Sequence, residues 1–311
     1  MALDRVPSLG PDPARMCALR SRRRRQTLVA WGFAAPFMIL FTVFMAGPIM
    51  ASLAMSFTDL TTRDLRSPFS VDFVGIANYA ALFDDPRFLR SLANTSMFVL
   101  AGVPLTMALA LLVALALNGG ITRFRTIFRV GYYAPVVTSI VAVAIVWRFM
   151  LQPDGLVNGF LGWFGIDGPN WLEDEFWALP SLILMAVWRN IGTLMVIFLA
   201  GLQGVPREHL EAAMVDGASA FQRFWNVTLP AMRPPILFAA VITGIGFLQF
   251  FEEPYVMTSG GPLDATLSSA MYTYSQFGFG NYSYASAASY ILFLAIVVLS
   301  LIQFRLLGRK D

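Results

Sequence analysis

Lysine is almost missing from this chain: Lys310 is the only one among 311 residues. A phosphate-binding loop needs Gly-rich backbone N–H groups and a lysine that reaches the β- and γ-phosphates. Nothing here supplies that lysine, so ATP hydrolysis by that route is excluded. Cysteine is equally scarce, and the lone Cys17 rules out an intramolecular disulfide or a Cys-rich metal site. The single histidine, His209, rules out a multi-His zinc centre and argues against a Ser-His-Asp triad. Charge is sparse too. Charged residues make up 13% of the chain, where a soluble domain carries roughly 25%. With 22 Lys+Arg against 19 Asp+Glu there is no basic surplus to hold nucleic acid. What fills the space is apolar: 57% of residues are hydrophobic and mean hydropathy is positive, which makes the chain an integral membrane protein.

Six apolar segments have spanning length, at about 28–56, 92–118, 132–151, 177–201, 235–255 and 284–306. Arginine sorts the loops between them. The head, residues 1–27, holds seven arginines, including Arg22 to Arg25. Loop 119–131 adds Arg123, Arg125 and Arg129, loop 203–235 adds Arg207, Arg223 and Arg233, and the end adds Arg305, Arg309 and Lys310. Loops 152–176 and 256–283 contain no Lys or Arg, and 57–91 balances four arginines with five aspartates. Excess positive charge marks the cytoplasmic side, so both termini are expected inside. The Arg22–Arg25 cluster fits either the n-region of a signal peptide or the flank of a retained span. The run from Leu28 to about Ser56 exceeds a signal h-region, which favours the retained span. Domain organisation is then a basic cytoplasmic tail, 1–27, and a transmembrane domain, 28–311.

The longest polar interruption of the second half is PREHLEAAMVDGASAFQRFWNVTLPAMRPP, residues 206–235. It reads as two short helices. Pro206 suits a first helical position, where its missing N–H costs nothing. Glu208 and Glu211 sit in the early turns, favoured by the helix dipole. Leu210, Ala213 and Met214 form an apolar strip. Gly217 is the expected stop, Ser219 and Gln222 form a capping box, and Pro230 is expected to end the second helix. That helix carries Phe221, Phe224, Trp225 and Thr228 on one side. Its apolar faces require a surface to lie on, either the chain's own helices or a separate partner.

Glu211-Ala212-Ala213, Asp216-Gly217-Ala218, Phe224, Val227, Leu229-Pro230 and Pro234 match, position by position, the EAA loop of the membrane subunits of binding-protein-dependent ABC importers. The chain is therefore identified as a member of that family. Phe73-Val74-Gly75-Ile76-Ala77-Asn78-Tyr79, Asn94-Thr95, Tyr133-Ala134-Pro135, Pro153-Asp154-Gly155, Asn158, Thr258-Ser259-Gly260-Gly261-Pro262 and Thr266 resemble its carbohydrate-type, maltose-transporter-like branch. Read alone, these are turn signals and interfacial aromatics. The resemblance covers nearly everything after residue 28. It implies an all-α permease of the type I importer fold with six transmembrane helices and a cytoplasmic coupling helix, in a bacterial plasma membrane. It implies a second homologous permease, two ATPase subunits that carry ATP and Mg, and an extracytoplasmic solute-binding protein. It implies that no cofactor, catalytic group or metal belongs to this chain. Glu211, Ala212, Ala213, Asp216, Gly217, Ala218, Phe221, Phe224 and Pro230 would seat in the ATPase. Counting from the motif puts the solute pathway at Ala186, Trp188, Arg189, Asn190, Thr193, Thr243, Gly246, Phe247 and Phe250. The chain departs from the maltose pattern at most of these positions, Arg189 most of all, so location carries over and substrate identity does not.

An ionisable group at mid-membrane depth costs a few kcal/mol even on lenient scales, about 2.5–3.5. Arg189, within the fourth span, therefore either lines a polar path with Trp188 beside it or fixes packing against a carboxylate or carbonyls of a partner subunit. Arg148 is expected to reach toward headgroups. Glu252 and Glu253 stand at the outer end of the fifth span, to meet binding protein or solute or simply water. Gly102, Ala108 and Ala110 suit close helix packing. The expected function is ATP-driven sugar import by alternating access. A permease for glycerophosphodiesters or another polar solute is the alternative, since Arg189 suits an anion. An ion-coupled secondary transporter would place carboxylates inside the spans, and here they lie in loops or at span ends. A membrane enzyme lacks any clustered His, Cys or carboxylate set.

Overall fold

The computed structural model describes residues 13–66, 71–120 and 124–308. Arg123, Arg309, Lys310 and the first twelve residues of the head lie outside them. Regular secondary structure among the described residues is all helical, apart from one isolated antiparallel bridge, Thr58 to Phe73. The chain divides into a unit up to Met55 and a larger one from Ser56.

The first unit is a helix, Pro13–Phe41, a π-turn, Thr42–Ala46, and a helix, Gly47–Met55. Gln26–Met55 is long and apolar enough to span a bilayer. Its large side chains, Phe33, Phe44 and Leu28 among them, are exposed on all sides, as suits lipid. The π-turn has a cause in the sequence. Gly47 N–H reaches back to the Thr42 carbonyl, five residues away, just before Pro48. The wider turn moves aside the carbonyl that a proline ring would strike in an α-helix.

In the second unit three helices cross whole: Pro86–Leu115 continued by a π-turn to Gly120, Glu175–Gln203, and Tyr282–Leu307. Asp85 caps the first of these with Pro86 at its opening position, and Asp174 caps the second through the N–H groups of Phe176 and Trp177. The other two expected spans are broken. The third is Arg125–Val137 and Ile140–Met150, bent by 99° at Thr138–Ser139, which are extended. Pro135 has no N–H to give the first half, and two β-type residues follow it. The fifth does not run to 255: its helix is Arg233–Leu248, followed by a separate turn, Glu252–Met257. Phe250 leaves the helix to lie flat on Phe98, with centroids 3.8 Å apart and rings 8° from parallel.

The core lies where spans two, four and five meet, around Phe98, Leu182, Met185, Leu194, Met195 and Phe198. Lipid is as apolar as these side chains, so close packing rather than water exclusion holds them. A Cβ on Gly192 would come within 2.2 Å of the Tyr132 carbonyl oxygen, so glycine is what lets the third span's backbone touch the fourth. Gly102 likewise faces the Phe247 ring, and Ala110, eight residues on, is buried on the same side. Ala108 is exposed, contrary to expectation, because six residues turn it to another face. A second cluster packs apart from this core: Leu82, Phe88, Leu267, Tyr272, Ala287 and Ala288.

Candidate functional site

The finger between spans four and five is folded by its own local signals. Pro206 is the cap rather than the first helical residue, with ψ 125°, and the helix is Arg207–Val215. Gly217 takes the left-handed conformation at φ 80°, and Ala218 N–H donates to the Ala213 carbonyl at 2.9 Å, the six-to-one bond of a Schellman end. Ser219 and Gln222 form the capping box reciprocally. Pro230 does not end the second helix. Ala220–Arg223 continues through a π-turn, Phe224–Thr228, into Leu229–Ala231, and a 66° bend follows into Arg233–Leu248. Leu229 N–H reaches the Phe224 carbonyl five residues back, immediately before Pro230. That is the device seen before Pro48.

None of the helical residues from Arg207 to Ala231 is buried. Val215 is 88% exposed, Phe221 71%, Trp225 51% and Met214 49%. Phe221 and Phe224 flank Trp225, with ring centroids 6.0 and 5.7 Å away. Glu211, Ala212, Asp216 and Pro230 are exposed as well. The finger therefore does not lie down on its own chain. It presents an aromatic knuckle beside a carboxylate helix, about 10–12 Å across like any helix.

The residues predicted for the solute path divide into two sets. Ala186, Thr243, Phe247 and Phe250 are buried in the packing of spans two, four and five. Trp188 and Gly246 are exposed, and Arg189, Asn190 and Thr193 are half-buried. Asn190 Nδ2 donates to its own helix at the Ala186 carbonyl, 2.8 Å. Trp188 tilts against Trp147 at 5.7 Å, and both line an apolar cavity of about 610 Å³ at the break of the third span. Arg189 Nε is buried without an acceptor. Glu252 is exposed, but Glu253 is 6% exposed, so it is not a solvated span end. Arg148 turns to protein, donating from Nη1 to the Val256 carbonyl at 3.3 Å.

Among the loops expected to face outward, the structure joins motifs far apart in sequence. Asn78 Nδ2 donates to the carbonyls of Ser56 and Thr58, and Tyr79 shares a hydroxyl bond with Ser56. Asn158 accepts from Trp171 Nε1 at 2.6 Å and donates to Pro153 and Pro169. Asn94 Nδ2 donates to the carbonyls of Asp264 and Leu267, at 2.8 and 3.0 Å. Thr258 and Thr266 share a 2.6 Å hydroxyl bond across the Gly-Gly-Pro turn. Arg87 clasps Asp264 through two bonds, at 2.8 and 2.9 Å, and Arg90 pairs with Glu175. Tyr272 donates to the Asp85 carboxylate, and burial followed by that bond pushes its phenol far above the ordinary range.

The family described as "Binding-protein-dependent transport system inner membrane component" matches residues 73–310. The chain belongs to that family. Among relatives of this inner membrane component, the lactose transport system permease protein LacF of Rhizobium radiobacter is 38% identical over 91% of this chain and 95% of its own. The arabinooligosaccharides transport system permease protein AraP of Bacillus subtilis (strain 168) is 32% identical over 96% and 94%. A chain of a bacterial ABC transporter involved in import of the acidic polysaccharide alginate superposes with a TM-score of 0.77 at 26% identity, over 94% of this chain and 99% of that one. This inner membrane component is thus a multi-pass, non-catalytic transport subunit with the type I importer permease fold.

Proposed function

We propose that this permease passes a carbohydrate, received from an extracytoplasmic binding protein, to the cytoplasm by alternating access. The relatives' names, lactose and arabinooligosaccharide transport among them, support the substrate class. The Trp147–Trp188 wall suits a sugar face, and the half-buried Arg189, Asn190 and Thr193 supply polar contacts beside it. A second, homologous permease completes the path, and the finger sits inside with both termini. Two separate ATPase subunits bind ATP and Mg, because this chain lacks the lysine such a site needs.

The observation that carries the reading is the exposed aromatic knuckle of the finger. Among the described residues nothing covers the greater part of Phe221 and Trp225, which are 71% and 51% exposed in an aqueous loop. They fit an apolar slot in an ATPase. Glu211, also exposed, accepts a charge-assisted hydrogen bond there. Gly217, at φ 80° with open space around its α-carbon, lets the partner backbone approach. Closure of the ATPases then pushes residues 211–231 as one lever on the fifth span.

The test is uptake by cells carrying Glu211→Lys or Gly217→Asp. Both variants are expected to insert at normal levels and to lose ATP-driven uptake by at least about tenfold, the loss of a charge-assisted contact of roughly 1.5–3 kcal/mol. Normal uptake in both would remove the docking role. Ligand screening of the co-purifying binding protein then identifies the sugar.

A further inference from the structure

The loop between spans three and four carries a second uncovered apolar face. Residues 155–166, GLVNGFLGWFGI, include no charged side chain, and Asp154 and Asp167 stand at either end. Leu156–Gly162 is a helix. It closes on Gly165 at φ 71°, where Ile166 N–H donates to the Leu161 carbonyl at 3.1 Å and Gly165 N–H to the Gly162 carbonyl at 3.0 Å. These are the paired bonds of a Schellman end. Its one polar side chain is spent inside the loop. Asn158 donates to the carbonyls of Pro153 and Pro169 and accepts from Trp171 Nε1. At 100° per residue, Leu156, Phe160, Trp163 and Phe164 fall on the side opposite Asn158. They are 74%, 56%, 83% and 67% exposed, and Phe160 holds Trp163 and Phe164 at ring distances of 5.9 and 5.3 Å.

The depth of this face is set by its ties to span four. Trp171, bonded to Asn158, meets Trp177 in the first turn of that span at 5.2 Å, and its carbonyl accepts from Ser181 Oγ at 3.2 Å. Ser181 is six residues into the helix Glu175–Gln203, about 9 Å along its axis. The loop helix is thus tied beside the head of a span, where bilayer gives way to water. A patch that meets protein carries a polar rim, as the finger's segment does with Arg207, Glu208, Glu211 and Arg223. Here residues 152–176 contain no Lys or Arg, and 155–166 no charge at all. Tryptophan and other large apolar side chains without charge, held at the head of a span, have the composition of a membrane-interface belt.

We infer that the Leu156–Ile166 face is an interfacial anchor, bedded in the headgroup–acyl boundary of the leaflet at the head of span four. Lipid, and not a protein, covers it. Leu156, Phe160, Trp163 and Phe164 enter the boundary, while Asn158 and Trp171 hold the helix to the span.

Single-cysteine reporters test the anchor, since Cys17 is the only native cysteine. In a Cys17→Ser background, Phe164→Cys and Leu156→Cys each carry a nitrobenzoxadiazole fluorophore, with Asp154→Cys as the exposed control. The full transporter is placed in phosphatidylethanolamine/phosphatidylglycerol vesicles that contain lipid nitroxides, near the headgroup or at mid-chain. Burial by about 5–10 Å predicts quenching at both sites at least about twofold stronger by the shallow nitroxide than by the mid-chain one. It also predicts iodide quenching at least about threefold weaker than at residue 154. Iodide quenching equal to the control would put the face in water. Protection from iodide without lipid quenching would put a protein on it, and stronger mid-chain quenching would put it in the acyl core. Any of these at either site overturns the anchor. The outcome does not depend on which solute the chain carries.

Discussion

Two motif-bearing loops of this chain are built on opposite plans. The finger, residues 206–231, caps itself twice and then leaves Val215, Phe221 and Trp225 uncovered. The turn expected to face outward, residues 258–269, is bolted to the head of the second span by Asn94, Thr95 and Arg87, and buries Ala265, Thr266 and Leu267. Each is rich in turn residues, and a sequence window does not separate them. What separates them is where their polar and apolar groups find partners. The outer turn is completed within the chain, so it behaves as structure. The finger is left uncovered among the described residues, and on the proposed reading it behaves as a contact. Substitutions in the finger should therefore cost transport and not stability, and those in the outer turn the reverse.

Phe221→Asp should break the comparison most sharply if it is wrong. We expect uptake to fall by more than about tenfold, as hot-spot aromatics at interfaces do, while melting of the purified chain stays within about 0.5 kcal/mol of the parent, as for a surface change. A large drop in melting would mean that the knuckle is buried against its own chain. Asn94→Ala is the counterpart. It takes away the donor to the buried Leu267 carbonyl, while the Asp264 carbonyl still accepts from Leu267 N–H, so it should destabilise by about 1–3 kcal/mol, the cost of one orphaned group. Thermal melting in detergent reads this directly. Unchanged melting would show that the turn holds itself without span two.

Sequence reasoning followed the same division. Local features were legible: the apolar runs, the Ser219–Gln222 box and the left-handed Gly217 each follow from a few adjacent residues. The finger's motif was legible for the same reason. The breaks in spans three and five were not, because hydropathy averages over side chains and is blind to a missing N–H at Pro135 or to Phe250 stacking on Phe98. Pro230 was misread as a terminator because proline ends an α-helix, whereas here a preceding π-turn accommodates its ring. The burial of Glu253 and the tie from Asn94 to residues 264 and 267 depend on groups brought together across the fold. No local pattern encodes them.

The smallest expected effect concerns Arg87, and it sharpens the account of what bolts the outer turn down. Its two bonds to Asp264 have good fork geometry, yet the side chains are 50% and 33% exposed. Water and salt screen such a pair, so Arg87→Gln should cost less than about 1 kcal/mol, against the larger loss at the buried Asn94. The difference should narrow further as salt rises, because only the ion pair is screened. If Arg87→Gln instead melts as early as Asn94→Ala, and does so at high salt, the turn is held by its surface charges. The contrast with the finger would then be one of electrostatics rather than of burial.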